Sequence, residues 1–190
     1  RRWGLAVFKL GAAATLVAAI GLTLVLLVYS SLAKNYELAK LGRMPARSIV
    51  YDRNGEQIGL LHGSNRIAVT LDDIPQSFID ALLAREDARF YGHGGVDPIG
   101  VLRAVYRTVI KRNTEGASTI TMQVARNYFL SREKTYIRKV KEILLAIKLE
   151  QKLSKAEILE LYINKIFLGH RAYGFAAAAA IYYDKPLEQL

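Results

Sequence analysis

The chain has 190 residues, of which 52% are hydrophobic and 23% charged, and its 27 Lys and Arg against 17 Asp and Glu give a net charge of +10. This composition excludes an intrinsically disordered chain, and the absence of Cys excludes disulfides, thiolate metal sites and a Cys nucleophile. The three His (His62, His93 and His170) lack the spacing of metal ligands, so no metal site is predicted.

The first predicted element is a transmembrane helix at 10–33. These 24 residues carry no charge and are rich in Leu, Val, Ile and Ala. A helix of this length crosses a hydrocarbon core about 30 Å thick, whereas the apolar stretch of a cleaved signal peptide usually has only about 7–15 residues. We therefore predict a cytoplasmic stub at 1–9, a retained span at 10–33 and a juxtamembrane connector at 34–47. The charges flanking the span are nearly balanced and do not fix its orientation.

A small β-hairpin is predicted next, at 48–61. The dipeptide Asn54-Gly55 lies between two short apolar runs and fits a type I′ turn. A third short strand is expected at Arg66–Thr70. The domain that starts at 48 therefore opens with a minor β element.

Helices dominate the rest of the chain. Apolar residues recur at helical spacing, and helix-start signals precede them. Four helices are predicted: one with Pro75 at its first position, one starting near Ser118, one from about Thr135 to Leu153, and one starting at Ser154 with a capping box to Glu157.

Glu86 is the first candidate for chemistry. It lies four residues after Leu82 and four before Phe90, on the apolar stripe of its predicted helix. A carboxylate on a cleft wall loses hydration, which suits it to act as a general base. The alternative is a structural ion pair with Arg85 or Arg89.

Glu142 is the second candidate. It shares a helical face with Arg138 in an apolar stretch, so a buried structural ion pair is its alternative role. Many Lys and Arg surround it in sequence, and the helix start at Ser118 adds backbone N–H donors, which together suit a phosphate. Two carboxylates and a cationic wall in a domain tethered to a bilayer indicate sugar chemistry on a lipid-linked phosphate.

Four segments carry a specific resemblance. They are E-D-A-R-F-Y-G-H-G at 86–94, G-A-S-T-I-T-M-Q at 116–123, R-K-V-K-E at 138–142 and K-A-E-I-L-E-L-Y-I-N at 155–164. In this order they resemble the motifs of the peptidoglycan glycosyltransferase domain of class A penicillin-binding proteins, and the hairpin is most similar to the bifunctional 1A type. Ala117 and Met122 stand where the family usually has Gly and Gln.

The resemblance implies a mainly α, lysozyme-like fold with two lobes, preceded by one transmembrane helix and the small hairpin, with residues 48–190 as a C-terminally incomplete domain. It implies polymerisation of lipid II, the undecaprenyl-diphosphate-linked disaccharide-pentapeptide, into β-1,4 glycan strands by inverting displacement, in the N-terminal part of a bifunctional glycosyltransferase/transpeptidase. The expected location is the bacterial cytoplasmic membrane, single-pass, with the catalytic domain outside. The expected partners are lipid II, the growing glycan strand, membrane lipid and cell-wall synthesis or activator proteins, but no nucleic acid.

The resemblance also assigns the site. Glu86 matches the general base that deprotonates the acceptor 4-hydroxyl, and Glu142 matches the second carboxylate. The sequence requires no cofactor, and a divalent cation (Mg or Mn) at the diphosphate stays open. The implied substrate-binding residues are Asp87, Phe90, His93, Ser118, Thr119, Gln123, Arg126, Asn127, Lys134, Arg138 and Lys141.

Two other classes of protein are alternatives. A membrane-anchored lytic glycosidase of the same fold class also needs a carboxylate, but it needs no cationic site for a diphosphate. A non-catalytic basic scaffold that binds phospholipid or nucleic acid gives no reason to place Glu86 on an apolar stripe, and the sequence has no nucleic-acid motif. The cations around Glu142 therefore favour the glycosyltransferase.

Overall fold

The computed structural model describes residues 11–12, 15–17, 19–21, 23, 27, 49–60, 65–110, 116–130 and 135–190. The described residues between 11 and 27 are helical and exposed. Within the described parts of the chain, no helix is both long and apolar enough to cross a bilayer. The predicted stub, the predicted connector and most of the predicted span lie outside the described residues, as does Lys134.

The predicted hairpin is present, with a different turn. Strand β1 (Ile49–Tyr51) pairs antiparallel with β2 (Gln57–Leu60). The connection is longer than the predicted two-residue type I′ turn, which needs positive φ at both central residues, whereas Gly55 has a φ of +83° and Asn54 is not in that region. Instead, Asp52 Oδ1 accepts the N–H groups of Asn54 and Glu56, each at 2.8 Å. These bonds lower the pKa of Asp52, the one from Glu56 most.

The prediction of a third strand at 66–70 is wrong, because the strand found there is shorter and begins one residue earlier. Strand β3 (Asn65–Arg66) pairs in parallel with β4 (Ala172–Tyr173), far along the chain, and the residues after Arg66 leave the sheet. At Val69 a side chain takes the place of strand-to-strand hydrogen bonds. Asn164 Oδ1 accepts the N–H of Val69 at 2.9 Å, and Asn164 Nδ2 donates to the carbonyl of Val69 at 2.8 Å. Such a pairing over a long sequence separation leaves no local signal.

The described domain is mainly helical, and all four predicted helices are confirmed. Pro75 precedes the first helix instead of starting it, and the second, predicted to start near Ser118, begins at Ile120. Two further helices were not predicted, the second and the last of the six. The helices are α1 (Gln76–Glu86), α2 (Pro98–Ile110), α3 (Ile120–Phe129), α4 (Tyr136–Glu150), α5 (Lys155–Lys165) and α6 (Phe175–Tyr183).

Side-chain caps fix where three of these helices begin. Thr119, Thr135 and Ser154 each precede a helix and accept a backbone N–H from its first turn. At α5 the capping box is complete, because the Glu157 carboxylate also accepts the N–H of Ser154 at 2.7 Å. A cap of this kind typically stabilises a helix by about 1 kcal/mol.

Helix α3 lies at the centre of the core and packs against α4 and α5. Its residues from Ile120 to Ala125 are all buried, against Leu145 and Leu149 of α4 and the buried face of α5. The loop before α2 also closes onto α4. Gly95 has a φ of +89°, and a Cβ there would lie 2.8 Å from the carbonyl carbon of Ala146. Only glycine fits this approach, and it brings the loop after α1 to the same edge of the core as the start of α3.

Candidate active site

Glu86 is the last residue of α1 and remains accessible. Its side chain is 33% exposed, and its Oε1 lies 3.8 Å from Nε of Arg85, whose own side chain is 86% exposed. Gln123 Nε2 of α3 donates to Glu86 Oε2 at 3.1 Å. The neutral amide therefore orients the carboxylate, and the ion pair with the exposed Arg85 is a weak surface contact.

Asp87, beside Glu86, has a different position. Its Oδ1 lies 2.9 Å from His93 Nε2, and both side chains are only 4% exposed. Its Oδ2 accepts the backbone N–H of Ile120 at 3.0 Å, at the N-terminus of α3, where a negative charge is favourable. Asp87 therefore joins the end of α1 to the start of α3 and fixes the position of Glu86.

A second set of contacts holds the segment after α1, from Phe90 to His93, against the core. Phe90 is 1% exposed, and Lys155 Nζ lies 4.4 Å from the centre of its ring. Lys155 Nζ also donates to the carbonyl oxygen of His93 at 2.6 Å and to Glu150 Oε1 at 2.7 Å. Thr121 Oγ1 donates to the same Glu150 oxygen at 2.6 Å. Phe90 and His93 therefore pack beneath the site, and Glu150, which contacts them through Lys155, was not predicted from the sequence.

A cavity of about 370 Å³ opens beside Glu86. The predicted residues Asp87, Ser118 and Thr119 also line it. Its remaining charged lining was not predicted and consists of Arg85, Arg89, Asp97, Arg103 and Arg107. The missed arginines of α2 are brought here only by the turn of the chain after Gly95.

Arg89, on the wall of the cavity, is paired with an acidic residue that also lines it. The Arg89 guanidinium forms an ion pair with Asp97, and its Nε donates to Asp97 Oδ2 at 3.2 Å. This hydrogen bond lowers the pKa of Asp97 against the opposing effect of burial. Arg103, in contrast, is exposed.

Glu142 lies on α4 in a different environment. It is 1% exposed, its Oε1 forms an ion pair with Arg138 Nη1, and its Oε2 lies 3.0 Å from Lys139 Nζ. Burial, together with the guanidinium charges of Arg126 and Arg138, lowers the pKa of Lys139. Among the described residues, two cations therefore bond to one buried carboxylate, and a third, Arg126, lies near enough to act on Lys139, so that cations outnumber the carboxylate there. Lys139 was absent from the predicted site, although its spacing of three residues from Glu142 could have indicated it.

Ser118 connects the two regions. It lines the cavity next to Glu86, and its Oγ accepts a hydrogen bond from Lys139 Nζ at 2.6 Å. The adjacent Thr119 is used by the fold, because its Oγ1 donates to the carbonyl of Gly95 at 2.6 Å and accepts the N–H of Met122 at 3.1 Å. Met122, at the position where a Gln was expected, is 2% exposed, and its sulfur lies 3.9 Å from Lys139 Nζ.

The remaining predicted binding residues that the structure describes lie on α3 and α4. Arg126 and Asn127 are half-buried on the last turns of α3, and Lys141 is half-buried on α4. Burial and the negative charge of Glu86 raise the pKa of Tyr162 on α5, while the charge of Arg126 opposes this rise. Tyr162, which was not predicted, therefore lies in the electrostatic field of both. The catalytic and binding roles of all these residues stay predictions.

A metal ion has no set of ligands in the described part of the chain. No three His, Asp or Glu side chains come together there in a way that could hold one. The buried carboxylate of Glu142 is bonded to cations, which compete with any metal for its oxygens.

Comparison with known proteins gives a consistent result. The transglycosylase family model matches residues 54–190. Penicillin-binding protein 1A of Escherichia coli strain K12 is 53% identical over 142 residues, which is 74% of this chain and 17% of that protein. The proteins of the same name from Haemophilus influenzae and Vibrio cholerae are 54% and 49% identical, with the same coverage. The chain thus spans less than a fifth of the length of these relatives.

Proposed function

Because the chain belongs to the transglycosylase family, we propose that it is a peptidoglycan glycosyltransferase that polymerises lipid II into β-1,4 glycan strands. One observation carries this proposal. An accessible carboxylate, Glu86, shares a cavity wall with Ser118, which in turn bonds to a cluster with three cations and one buried carboxylate. Transfer of a sugar from a diphosphate needs a base for the acceptor and positive charge for the leaving group.

The proposed reaction is a single displacement. Glu86 accepts the proton of the acceptor 4-hydroxyl while that oxygen attacks the anomeric carbon of the donor. The bond from this carbon to the diphosphate oxygen breaks, and its electron pair leaves with undecaprenyl diphosphate. One displacement on an α-linked donor inverts the configuration and gives a β-1,4 bond. Gln123, which donates to Glu86 Oε2, holds the carboxylate in position for the proton transfer.

Positive charge at the leaving group is supplied by Arg126, Arg138 and Lys139. Glu142 neutralises only part of this charge, so a diphosphate completes the balance. Magnesium and manganese prefer several oxygen ligands, and the described residues provide no such set. A divalent cation bound with the substrate would add positive charge at the diphosphate, next to the cations that the chain itself supplies there.

We further propose that the domain docks on the outer face of the bacterial cytoplasmic membrane. Helix α2 presents an exposed apolar stripe that includes Ile99 (63% exposed), Leu102 (69%) and Val109 (70%). Arg103 and Arg107 of the same helix line the cavity and suit anionic lipid headgroups. A lipid-linked substrate enters directly from such a surface, which fits a single-pass anchor at 10–33.

The larger protein is proposed to be bifunctional, with a transpeptidase part and contacts to cell-wall synthesis or activator proteins. The support is the identity of about 50% to proteins named penicillin-binding protein 1A. The mainly helical fold fits the proposed two-lobed, lysozyme-like architecture. A lytic glycosidase, the alternative from the sequence, has no use for the three cations around Glu142.

The proposal is tested with lipid II in phospholipid vesicles. The purified chain should convert it into long glycan strands that a muramidase degrades to disaccharides, with release of undecaprenyl diphosphate. The same protein should leave purified, crosslinked peptidoglycan intact. Cleavage of the peptidoglycan without polymerisation of lipid II would instead identify the lytic enzyme.

A further inference from the structure

A second cationic cluster lies outside the site described so far, where β3 and β4 meet the ends of α3 and α5. Arg66 and Tyr173 face each other in the register of the two parallel strands. The guanidinium carbon of Arg66 lies 4.8 Å from the centre of the Tyr173 ring. The stacked ring holds the guanidinium in one orientation.

Lys165 and Tyr128 form the other half of this cluster. Lys165 is the last residue of α5, and its Nζ lies 4.7 Å from the centre of the Tyr128 ring on α3. Arg66 acts on both residues: burial and the nearby guanidinium lower the pKa of Lys165, while burial raises the pKa of Tyr128 to about 12 against the effect of Arg66. Arg66 therefore lies near enough to Lys165 and Tyr128 to act on both, and we call Arg66, Tyr173, Lys165 and Tyr128 the Arg66 cluster.

The cations of the Arg66 cluster have no acidic partner among the described residues, where no carboxylate forms an ion pair with Arg66 or Lys165. The buried atoms Nε and Nη1 of Arg66 and the hydroxyl of Tyr128 have no hydrogen-bond partner in the part of the chain that the structure describes. Buried donors are almost always paired, and two close cations repel each other. An oxyanion between them would accept the two guanidinium N–H groups and the phenol O–H and would offset both charges.

Its position relates it to Glu86. Tyr128 lies five residues after Gln123 on α3, a rise of about 7.5 Å, and Lys165 lies three residues after Tyr162 on α5, about 4.5 Å. Gln123 bonds to Glu86, and Tyr162 responds to its charge. Along the axes of α3 and α5, the Arg66 cluster therefore lies about one helical turn beyond the residues that border the proposed general base.

We propose that the Arg66 cluster is a second oxyanion subsite that binds a carboxylate or phosphate of the substrate, separate from the cations around Glu142. This inference rests on the proposed function for the identity of the substrate. The lipid-linked substrate offers two sources of an oxyanion, the carboxylates of its stem peptide and its diphosphate. The site requires only their shared chemistry, a planar or tetrahedral group with two or more acceptor oxygens.

Binding is measured first without any reaction. The full chain is titrated in detergent with inorganic phosphate and with acetate while the Nε–H resonance of Arg66 is followed by NMR, assigned from its loss in Arg66→Lys. The resonance should shift and saturate with at least one of these anions. Lys165→Gln should weaken binding about tenfold or more, and Tyr128→Phe, which keeps the ring, about fivefold. Lys165→Arg should restore most of the affinity.

A matched charge control separates a local site from net charge. Arg53, exposed in the hairpin turn, loses one positive charge in Arg53→Gln and should leave the titration unchanged. The inference is overturned if neither anion shifts the Arg66 resonance, or if Arg53→Gln weakens binding as much as Lys165→Gln. Because this titration involves no turnover, its result is independent of whether the chain polymerises lipid II.

The source of the oxyanion follows from kinetics. Lys165→Gln should raise KM for lipid II more than it lowers kcat. If this difference disappears with a lipid II analogue whose stem-peptide carboxylates are amidated, the subsite binds the peptide, and if it persists, the subsite binds the diphosphate. An unchanged KM with both substrates would show that the Arg66 cluster does not bind substrate.

Discussion

The two candidate carboxylates lie in opposite surroundings, although each is carried by a helix of the same domain. Glu86 ends α1, is 33% exposed and bonds to the neutral amide of Gln123, with Arg85 3.8 Å away. Glu142 lies inside α4, is 1% exposed and is bonded to Arg138 and Lys139. A carboxylate that must accept a proton has to be reachable and only weakly bonded to cations. A carboxylate held by two cations instead fixes their positions, which is what a binding site for a diphosphate requires.

The comparison predicts its largest effect for Glu86→Gln. Glutamine keeps the size and the contact with Gln123 but cannot accept a proton, and loss of a general base typically lowers the rate about 10²–10⁴-fold. The rate of lipid II polymerisation is the measurement, and the urea unfolding curve should be nearly unchanged because the side chain is partly exposed. Glu56→Gln in the hairpin, where Glu56 is exposed, is the control. Polymerisation by Glu86→Gln at a near wild-type rate would remove Glu86 from the mechanism.

Glu142→Gln, unlike Glu86→Gln, should lower the stability of the fold strongly. Removing one partner of a buried ion pair leaves uncompensated charge and costs about 3–5 kcal/mol, and here the charges of Arg138 and Lys139 are left. The free energy of unfolding in urea measures this loss, and Glu86→Gln serves as the matched variant. If the two variants unfold at the same urea concentration, the contrast between the two carboxylates is wrong.

The sequence predicted the residue types of this contrast better than their contacts. Glu86 and Glu142 were found from helical spacing, and four helices from their periodicity and caps, because these signals are local. The sequence does not indicate that Asp87, next to Glu86, binds His93 and the N-terminus of α3. That contact depends on the loop that Gly95 closes onto α4, which no local pattern reports.

The missed residues have the same physical cause. Lys139 differs from the predicted Lys141 only in the direction of its side chain, which the helical phase relative to Glu142 could have supplied. Arg103 and Arg107 reach the cavity because an unpredicted helix, α2, crosses beside it. Arg66 meets Tyr173 through a strand pairing between distant parts of the chain. Tertiary placement, and not residue type, decided each case.

The next prediction concerns the cations that surround Glu142. Lys139→Ala should weaken binding of undecaprenyl diphosphate about tenfold, because a hydrogen bond to a charged group contributes about 1.5–3 kcal/mol, whereas Lys152→Ala, at an exposed position after α4, should have no effect. Binding to the chain in detergent micelles at moderate salt is the measurement. Equal, small losses in both variants would indicate that the cluster is only a charged surface.

A smaller effect is expected when the amide beside Glu86 is removed. Gln123→Ala deletes the hydrogen bond at 3.1 Å, and one such bond contributes about 1 kcal/mol, so kcat should fall about fivefold. Gln123→Glu is the sharper variant, because a second carboxylate there disfavours the ionised base and moves the acidic limb of the rate–pH profile to higher pH. An acidic limb at the same pH as in the wild type would show that the base is another residue.

The smallest expected effect is the pH dependence of stability that Lys139 contributes. Burial and the charges of Arg126 and Arg138 lower its pKa from the ordinary value of 10.5, even though the ion pair with Glu142 by itself favours the charged form. Between the lowered pKa and 10.5 the folded chain binds fewer protons at this site than the unfolded chain. Stability contributed by this group therefore rises with pH through that window.

The slope of the unfolding free energy against pH, as the pH approaches 10.5 from below, measures this contribution. It should be more positive in the wild type than in Lys139→Gln, by at most about 1.4 kcal/mol per pH unit for one proton, and Lys152→Gln should keep the wild-type slope. If the unfolding free energies of the wild type and Lys139→Gln differ by the same amount at every pH, the difference reports only the lost contacts with Glu142 and Ser118. Only the slope therefore tests the effect of the other cations on Lys139. Equal slopes in all three proteins would mean that Glu142 already balances its cations, and the cluster would then have no excess charge to bind a diphosphate.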